Sequence, residues 1–418
     1  MDALTTPSNW QRVRLGDMTT SFTKQTGFDY SASIKPTLIK EQLPNYIPFI
    51  QNKDFLGHYI NYKTDYFIPN EVAIRFPQIL LNEKCLLISI SGAIGNVAVF
   101  NHSQNAFIGG AIAVLKFKEK KSLDFVMHFL MSANGQKSLL NSVKSSSHKN
   151  LTIADLRDLL IPLPPLNEQI AIANILSDVD HYLYTLDALI LKKEGVKKAL
   201  SFELLSQRKR LKGFNQAWQR VRLGDIEITI SGLAGKTKQD FINGNAKYIT
   251  FLNVLNNVII DTSILENVKI YPNEKQNSFK KYDLFFNTSS ETPKEVGMCA
   301  VLLDDIDQVF LNSFCFGFRI FDKAVDSLFL SYLINSEIGR KAFENLAQGS
   351  TRYNLSKSGF NNICLILPSL NEQIAIANIL SALDHEIISL KNKKRQFENI
   401  KKALNHDLMS AKIRVLKK

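Results

Sequence analysis

The chain has 418 residues, of which 45% are hydrophobic, and it carries 51 Lys and Arg against 39 Asp and Glu. This length is too great for one ordinary core and the apolar content excludes a disordered chain, so we expect two packed domains with connecting elements. The formal net charge of +12 favours a polyanionic partner, because each phosphate that a basic side chain neutralises releases a counterion.

Two features predict a reducing compartment away from membranes. Residues Met1–Pro7 lack the charged and apolar regions of a signal peptide, and no apolar run is long enough to cross a bilayer. The cysteines do not stand at the C-x-x-C spacing of a zinc or redox motif and are expected as buried small hydrophobes. They are Cys85, Cys299, Cys315 and Cys364. We therefore expect a cytoplasmic protein that does not contact membranes.

The first half begins with the octapeptide WQRVRLGD at Trp10–Asp17, here named the opening box. Apolar runs then alternate with glycine-containing turns, which predicts strands, and a helical pattern follows them. The predicted elements are strands at Lys84–Ile90, Asn96–Phe100 and Ala111–Phe117, a tight turn at Ser91–Asn96 and a helix at Asp124–Leu140.

A long helix is predicted to begin just beyond Pro165, because proline disfavours helix before it and suits the first turn after it. Glu168 falls in that first turn, where a carboxylate complements the positive end of the helix. Apolar residues then step by three and four as in a coiled-coil seam, although Lys193 and Lys197 occupy seam positions. We expect this helix over residues 166–212, with Gly195 as a weak point.

The second half repeats the same order of elements. Its opening box lies at Trp218–Asp225. The further predicted elements are strands at Lys247–Leu252, Asp283–Asn287 and Phe314–Phe321, a helical pattern at Ser327–Leu346 and a long helix over residues 370–412.

The two halves are copies of one framework. The sequence NEQIAIANILS, the helix box, occurs at Asn167–Ser177 and unchanged at Asn371–Ser381, a shift of 371 − 167 = 204 residues. The opening box recurs with a shift of 218 − 10 = 208 residues. This period is far longer than that of a solenoid repeat and indicates a tandem domain duplication. Since the stretches between the boxes share little beyond pattern, we expect one task performed on two different targets.

These elements predict a mixed α/β fold with two similar domains, separated by two long antiparallel coiled-coil helices with pseudo-two-fold symmetry. The expected segments are a first domain at 1–164, its helix at 165–212, a second domain at 213–367 and its helix at 368–418. The alternative is a pair of ordinary amphipathic core helices.

Polar and basic residues at loop tips and strand ends are the candidates for contacting DNA. Hydroxyl groups beside a base and an aromatic suit phosphate contacts, and Asn or Gln can read adenine bidentately. A solvated loop or turn is an equally good explanation for any single one of them. The candidates are Gln51, Asn52, Lys53, Lys144, Ser146, Ser147, His148, Lys149, Lys236, Thr237, Lys238, Asn253, Ser350, Thr351, Arg352 and Tyr353.

The sequence carries no recognisable catalytic motif. Gly232–Thr237 fails as a phosphate-binding loop, since two residues separate its glycines where that motif needs four. The seven histidines form no ligand pattern such as H-x-x-x-H, and no methyltransferase or nuclease motif can be placed. We predict a protein that is not an enzyme and has no metal or cofactor of its own.

The proline-marked entry and the duplicated helix box, at the ends of two dissimilar domains, resemble the specificity subunits of bacterial type I restriction–modification systems over essentially the whole chain. The resemblance implies that each domain reads half of a split target in double-stranded DNA and that the helices set the gap. It implies two DNA adenine methyltransferase subunits and a helicase–nuclease subunit as partners, which would hold S-adenosylmethionine, ATP and magnesium. The residues expected to dock these partners are Asn167, Glu168, Gln169, Asn174, Asn371, Glu372, Gln373 and Asn378.

Two other interpretations fit the same residues. The chain could be the specificity subunit of another restriction class, or a basic coiled-coil scaffold without a DNA role. The scaffold predicts weak salt dependence and no sequence preference. A stand-alone nuclease or methylase is disfavoured by the missing motifs.

Overall fold

The computed structural model describes residues 9–24, 30–56, 58–141, 150–344, 346–349 and 352–415. The chain divides into two compact units, unit 1 with residues 1–188 and 392–418 and unit 2 with residues 189–391. Each long helix therefore contributes one half to each unit, whereas the sequence suggested that the helices are segments of their own. The four segment boundaries predicted from the sequence stay a prediction.

Unit 1 is built on two four-stranded sheets, ordered β6–β3–β10–β7 and β2–β11–β8–β9, with β1 paired to β12 and β4 paired to β5. Its elements are β1 (Gln11–Arg14), β2 (Thr19–Lys24), β3 (Tyr46–Ile50), β4 (Phe55–Leu56), β5 (Tyr59–Ile60), β6 (Phe67–Pro69), α1 (Asn70–Ala73), β7 (Leu80–Leu81), β8 (Cys85–Ser89), β9 (Val97–Phe100), β10 (Ala106–Ile108), β11 (Ile112–Phe117), α2 (Leu123–Met131), α3 (Ala133–Asn141), α4 (Ile153–Arg157), β12 (Leu160–Leu163) and the first half of α5 (Leu166–Leu205).

Strand β8 is buried on both faces because it separates two apolar clusters of unit 1. Leu86 and Ile88 point into the cluster that includes α2, while Cys85 and Leu87 point into the cluster around β3 and β10. This alternation follows from the two-residue period of a strand. The turn after β8 contains Gly92 and Gly95 with φ of 74° and 85°, a left-handed conformation that glycine adopts without strain.

Unit 2 contains the second set of elements, with sheets ordered β14–β21–β17–β19, β16–β15–β20 and β18–β23–β22, and β13 paired to β24. The elements are β13 (Gln219–Arg222), β14 (Glu227–Ser231), β15 (Ala246–Ile249), α6 (Phe251–Asn256), β16 (Glu266–Val268), β17 (Leu284–Asn287), β18 (Ser289–Ser290), β19 (Cys299–Val301), β20 (Val309–Leu311), β21 (Cys315–Ile320), α7 (Ser327–Asn335), α8 (Glu337–Glu344), β22 (Ala347–Gln348), β23 (Tyr353–Leu355), α9 (Lys357–Asn361), β24 (Cys364–Leu367) and the first half of α10 (Leu370–Met409).

The mixed α/β class and the antiparallel long helices are confirmed, and the differences from the sequence lie at capping residues. Each helical pattern expected as one helix is two, because Ser132 and Ser336 end the first helix and accept hydrogen bonds from amides of the next. The strand expected at Lys247–Leu252 ends at Ile249, because the Thr250 hydroxyl caps α6.

The opening box and the strand that leads into the helix box pair with each other in both units. Strand β1 lies antiparallel to β12, and β13 lies antiparallel to β24. The tryptophan that precedes each opening strand packs edge-on against a phenylalanine, Trp10 on Phe125 and Trp218 on Phe329, with ring centroids 6.2 and 6.3 Å apart. In each half, the opening box is therefore joined through a strand pair to the segment that leads into the helix box.

Both long helices have 40 residues and end earlier than the sequence pattern suggested. Gly195 does not interrupt α5, where it is exposed. The helix ends are anchored in apolar cores: Leu204 and Leu205 pack in unit 2, and Leu408 and Met409 pack in unit 1. None of the described helices combines the length and the apolarity needed to cross a membrane.

The two helices run antiparallel in each unit, and ion pairs join them at the seam positions that lysine occupies. Residues later in α5 contact residues earlier in α10. The pairs are Asp180–Lys401 and Asp187–Lys394 in unit 1, and Lys193–Glu386 and Lys197–Asp384 in unit 2. The Tyr182 ring contacts the Phe397 ring in unit 1 at a tilt of 51°, with centroids 4.5 Å apart, at the positions equivalent to Glu386 and Lys193.

An arginine–glutamate pair fixes the first turn of each long helix. In unit 2, both oxygens of Glu372 accept hydrogen bonds of 2.7 Å from Arg210, which lies beyond the end of α5. In unit 1, Glu168 accepts hydrogen bonds of 2.8 and 3.1 Å from Arg414, which lies beyond the end of α10. The glutamate side chains are 1% and 4% exposed, so each buried charge depends on its arginine.

Replacing Arg210 with alanine is expected to lower the free energy of unfolding of unit 2 by about 3 kcal/mol, because Glu372 would remain buried without its counter-charge. Urea unfolding followed by circular dichroism measures the loss. Arg222→Ala is the matched control, since Arg222 pairs with the exposed Asp225 and should leave the stability nearly unchanged. Equal losses in the two variants would contradict the assigned role of the Arg210–Glu372 pair.

Candidate nucleic-acid interface

In each unit, candidate residues from a distant segment meet the residues that follow an equivalent strand, which form a turn after β8 in unit 1 and strand β18 after β17 in unit 2. Ser91 and Ser289 lie two residues beyond the last residues of β8 and β17. Asn52 donates a hydrogen bond of 2.8 Å from Nδ2 to the Ser91 carbonyl oxygen. Arg352 donates one of 3.3 Å from Nε to the Ser289 hydroxyl. The same edge of the fold therefore gathers different polar side chains in the two units.

The end of each of these segments is held by the helix beneath it. Gln136 on α3 donates a hydrogen bond of 2.8 Å to the carbonyl oxygen of Gly95. Arg340 on α8, 340 − 136 = 204 residues later, donates one of 2.9 Å to the carbonyl oxygen of Gly297. Since the anchors are equivalent and the residues of the segments differ, the segments are displayed on a common support.

The unit 1 candidates line a cleft. Gln51, Asn52 and Lys53 surround a cavity of about 420 Å³ together with Gly109–Ile112. The Asn52 Oδ1 atom is buried and accepts no hydrogen bond from the described residues, so an ordered water or a ligand would satisfy it. Lys53 pairs with Asp65, which raises the pKa of Lys53, and its side chain is half exposed. An exposed pair of this kind exchanges readily for a phosphate.

The unit 2 candidates form a cationic and aromatic surface. The Arg352 guanidinium lies 5.2 Å from the centroid of the Phe314 ring, and Phe314 is 51% exposed. Tyr353, half-buried, follows on strand β23. A guanidinium held against an aromatic face keeps its planar donors oriented for phosphate or base edges. The sequence pattern does not single out Phe314, because it predicts that Phe314 begins an apolar strand.

Lys236 is committed to an internal ion pair, which argues against the predicted phosphate contact. Its side chain is 5% exposed, donates a hydrogen bond of 2.6 Å to the Lys269 carbonyl oxygen and pairs with Glu274, lowering the pKa of Glu274 to about 2. Thr237 is exposed, and its hydroxyl donates a hydrogen bond of 2.9 Å to the Asp240 carboxylate. Lys238 is exposed.

Asn253 is completely buried, which argues against the DNA contact predicted for it. Its Nδ2 donates to the Asp261 carbonyl oxygen at 2.9 Å, and its Oδ1 accepts from the Asp261 amide at 3.0 Å. The side chain therefore shapes a loop, as buried amides commonly do. The candidates Lys144, Ser146, Ser147, His148, Lys149, Ser350 and Thr351 lie outside the described residues.

The glutamates and glutamines of the helix boxes are buried, which argues against the partner contacts expected of them. Glu168 and Glu372 bind the arginines described above. Gln169 and Gln373 donate hydrogen bonds of 2.7 and 2.8 Å to the carbonyl oxygens of Pro164 and Pro368. The asparagines of the same boxes are exposed: Asn167, Asn174, Asn371 and Asn378.

The family of DNA specificity domains of type I restriction modification systems matches this chain twice, over residues 7–193 and 215–399. The two matches together cover most of the sequence. They coincide with the two copies of the framework that the opening and helix boxes define.

Relatives and a solved structure extend the likeness to nearly the full length. The chain is 26% identical to the type I restriction enzyme MjaVIII specificity subunit of Methanocaldococcus jannaschii, over 99% of this chain and 95% of that protein. It is also 26% identical to a putative type I restriction enzyme MjaX specificity subunit of the same organism, over 77% of this chain and 76% of that protein. The crystal structure of a type I restriction-modification S subunit from M. genitalium shares the fold, with a TM-score of 0.65, 18% identity and coverage of 97% and 98%.

Proposed function

Because the chain belongs to the type I restriction modification DNA specificity family, we propose that unit 1 and unit 2 each read one half of a split DNA target. The chain is a specificity subunit, a non-catalytic member of its restriction–modification system. The observation that carries the proposal is the contrast between repeated anchors and differing loop residues. Asn52 meets Ser91 in unit 1, whereas Arg352 meets Ser289 in unit 2.

The chemistry of the two clusters suits different bases. An asparagine amide matches the donor and acceptor pair of adenine, while an arginine matches guanine or a phosphate. The net charge of +12 supplies attraction that does not depend on sequence. Two linked recognition domains multiply their specificities. A single short target sequence would not be rare enough in a genome to give the same specificity.

The exposed asparagines of the helix boxes are the residues we assign to partner docking. Asn167 and Asn174 recur as Asn371 and Asn378 in helix boxes of identical sequence, so the same kind of partner fits both. We infer two DNA adenine methyltransferase subunits at these surfaces and a helicase–nuclease subunit in the full complex. S-adenosylmethionine, ATP and magnesium would be bound by those subunits. The complex would work in the cytoplasm, where the chromosome lies.

The experiment that tests the function is a genome-wide map of methylated adenines in the host, with and without this gene. We expect one split motif to lose its methylation on deletion and to regain it when the gene is restored. An unchanged map, in cells where the chain co-purifies with a methyltransferase, would contradict the proposal.

Replacing Arg352 with alanine is expected to weaken DNA binding by the assembled complex at least about fivefold and to reduce the salt slope of log K by about 1, if the guanidinium contacts a phosphate. Fluorescence anisotropy over a range of salt measures both quantities. Arg220→Ala, which removes the same charge from an exposed strand of unit 2, is the control. Identical curves for the two variants would remove Arg352 from the interface.

We also propose that the two unbroken long helices set the length of the gap between the half-sites. Inserting four residues after both Leu191 and Leu390 keeps the antiparallel partners together and lengthens each helix by about 6 Å. Since base pairs are stacked about 3.4 Å apart, we expect methylation to move to a target whose gap is one or two base pairs longer. Retention of the original gap by a stable double-insertion protein would contradict the spacer role.

A further inference from the structure

Three side chains that are far apart in sequence meet in unit 1. His58 lies between β4 and β5, His128 on α2 and Asp180 on α5, and each offers one ligand atom within 4.8 Å of the others. His128 is 1% and Asp180 7% exposed, and His58 is partly buried. The two imidazole rings stack with centroids 5.5 Å apart. The sequence patterns of ligating histidines, such as H-x-x-x-H, do not detect this cluster, because its members are far apart in sequence.

The equivalent place in unit 2 is satisfied by hydrogen bonds within the protein. Tyr332 and Asp384 stand 204 residues after His128 and Asp180. The Tyr332 hydroxyl donates a hydrogen bond of 2.6 Å to Asp384 Oδ2, and Lys197 binds Asp384 Oδ1. Both oxygens of this carboxylate therefore have a partner.

In unit 1 the corresponding carboxylate is only half satisfied. Lys401 pairs with Asp180 Oδ1, but Asp180 Oδ2 is buried and receives no hydrogen bond from the described residues. His128 points Nε2 to the Ser177 hydroxyl at 3.1 Å. The Nδ1 atom of His58 is also buried and has no hydrogen-bond partner in the described part of the chain. Two unsatisfied ligand atoms in one cluster are costly unless another species binds them.

We propose that His58, His128 and Asp180 bind a divalent transition-metal ion of the zinc class. Two imidazole nitrogens and a carboxylate oxygen form a ligand set that zinc accepts, with bonds of about 2.0–2.2 Å. Burial lowers the pKa of both histidines, which favours the neutral ring that a metal ion needs.

Access of solvent and the neighbouring charges determine which fourth ligand the ion can take and how tightly it binds. A cavity of about 370 Å³ adjoins the cluster and is lined by His58, Asp124 and Ser177 among others, so it can admit a water as fourth ligand. Lys401 and Lys84 are positive nearby, and Asp180 and Asp124 are negative. Since these charges cancel, we expect weaker binding than at a site with several thiolates. The ion would tie the β4–β5 hairpin to α2 and to the long helix, in unit 1 only.

The test uses the full-length chain, purified without a histidine tag and stripped with a chelator. Zn²⁺ is titrated calorimetrically, and bound metal is measured by elemental analysis. We expect one zinc per chain and a melting temperature raised by roughly 5 °C at a hundredfold excess over Kd. His58→Gln and His128→Tyr should abolish both effects. The second variant installs the tyrosine–aspartate arrangement of unit 2 and so keeps a residue that the fold accepts.

His181→Gln is the matched control, because His181 is an exposed histidine on the same long helix as Asp180. It should bind zinc as the unmodified chain does. The proposal is overturned if the unmodified chain binds no stoichiometric zinc, or if His58→Gln binds it unchanged. Melting of the metal-free variants shows that a loss of binding does not come from misfolding, and His58→Gln decides alone if His128→Tyr unfolds.

Discussion

The buried glutamate at the start of each long helix is the constraint on which the rest of the fold depends. Each carboxylate is withdrawn from water and, among the described residues, pairs with an arginine beyond the end of the other long helix. Leaving such a charge unpaired is costly, so the start of one helix and the end of the other must come together. The arrangement is reciprocal, with Arg210 serving unit 2 and Arg414 serving unit 1. This reciprocity explains why both copies of the helix box carry the glutamate.

The residues that the repeated framework supports differ between the two halves. The tryptophan contacts, the paired strands and the glutamine hydrogen bonds recur in both units. The residues that follow β8 and β17 differ between the units, whereas Gln136 and Arg340 hold the ends of these segments through the carbonyl oxygens of Gly95 and Gly297. A reader of DNA can therefore change its target at these segments without losing its core.

Sequence periodicity predicted the elements better than it predicted the roles of single side chains. The strands around Leu86 and the long helices follow from apolar patterns of two and of three to four residues, which local sequence contains. Asn253 and Lys236 carried the right chemistry for DNA, but their partners Asp261 and Glu274 are reached only in the fold. The cluster of His58, His128 and Asp180 was equally invisible, because a β hairpin and two helices must meet to form it.

The pseudo-equivalent pairs Tyr182–Phe397 and Glu386–Lys193 make the helix seam chemically asymmetric. Dissolved salt screens the attraction between Glu386 and Lys193 but leaves the contact between two aromatic rings intact. A rise in ionic strength would therefore weaken this contact of the seam more in unit 2 than at the equivalent place in unit 1. The asymmetry also favours correct pairing during folding, because a ring and a charge make poor substitutes for one another.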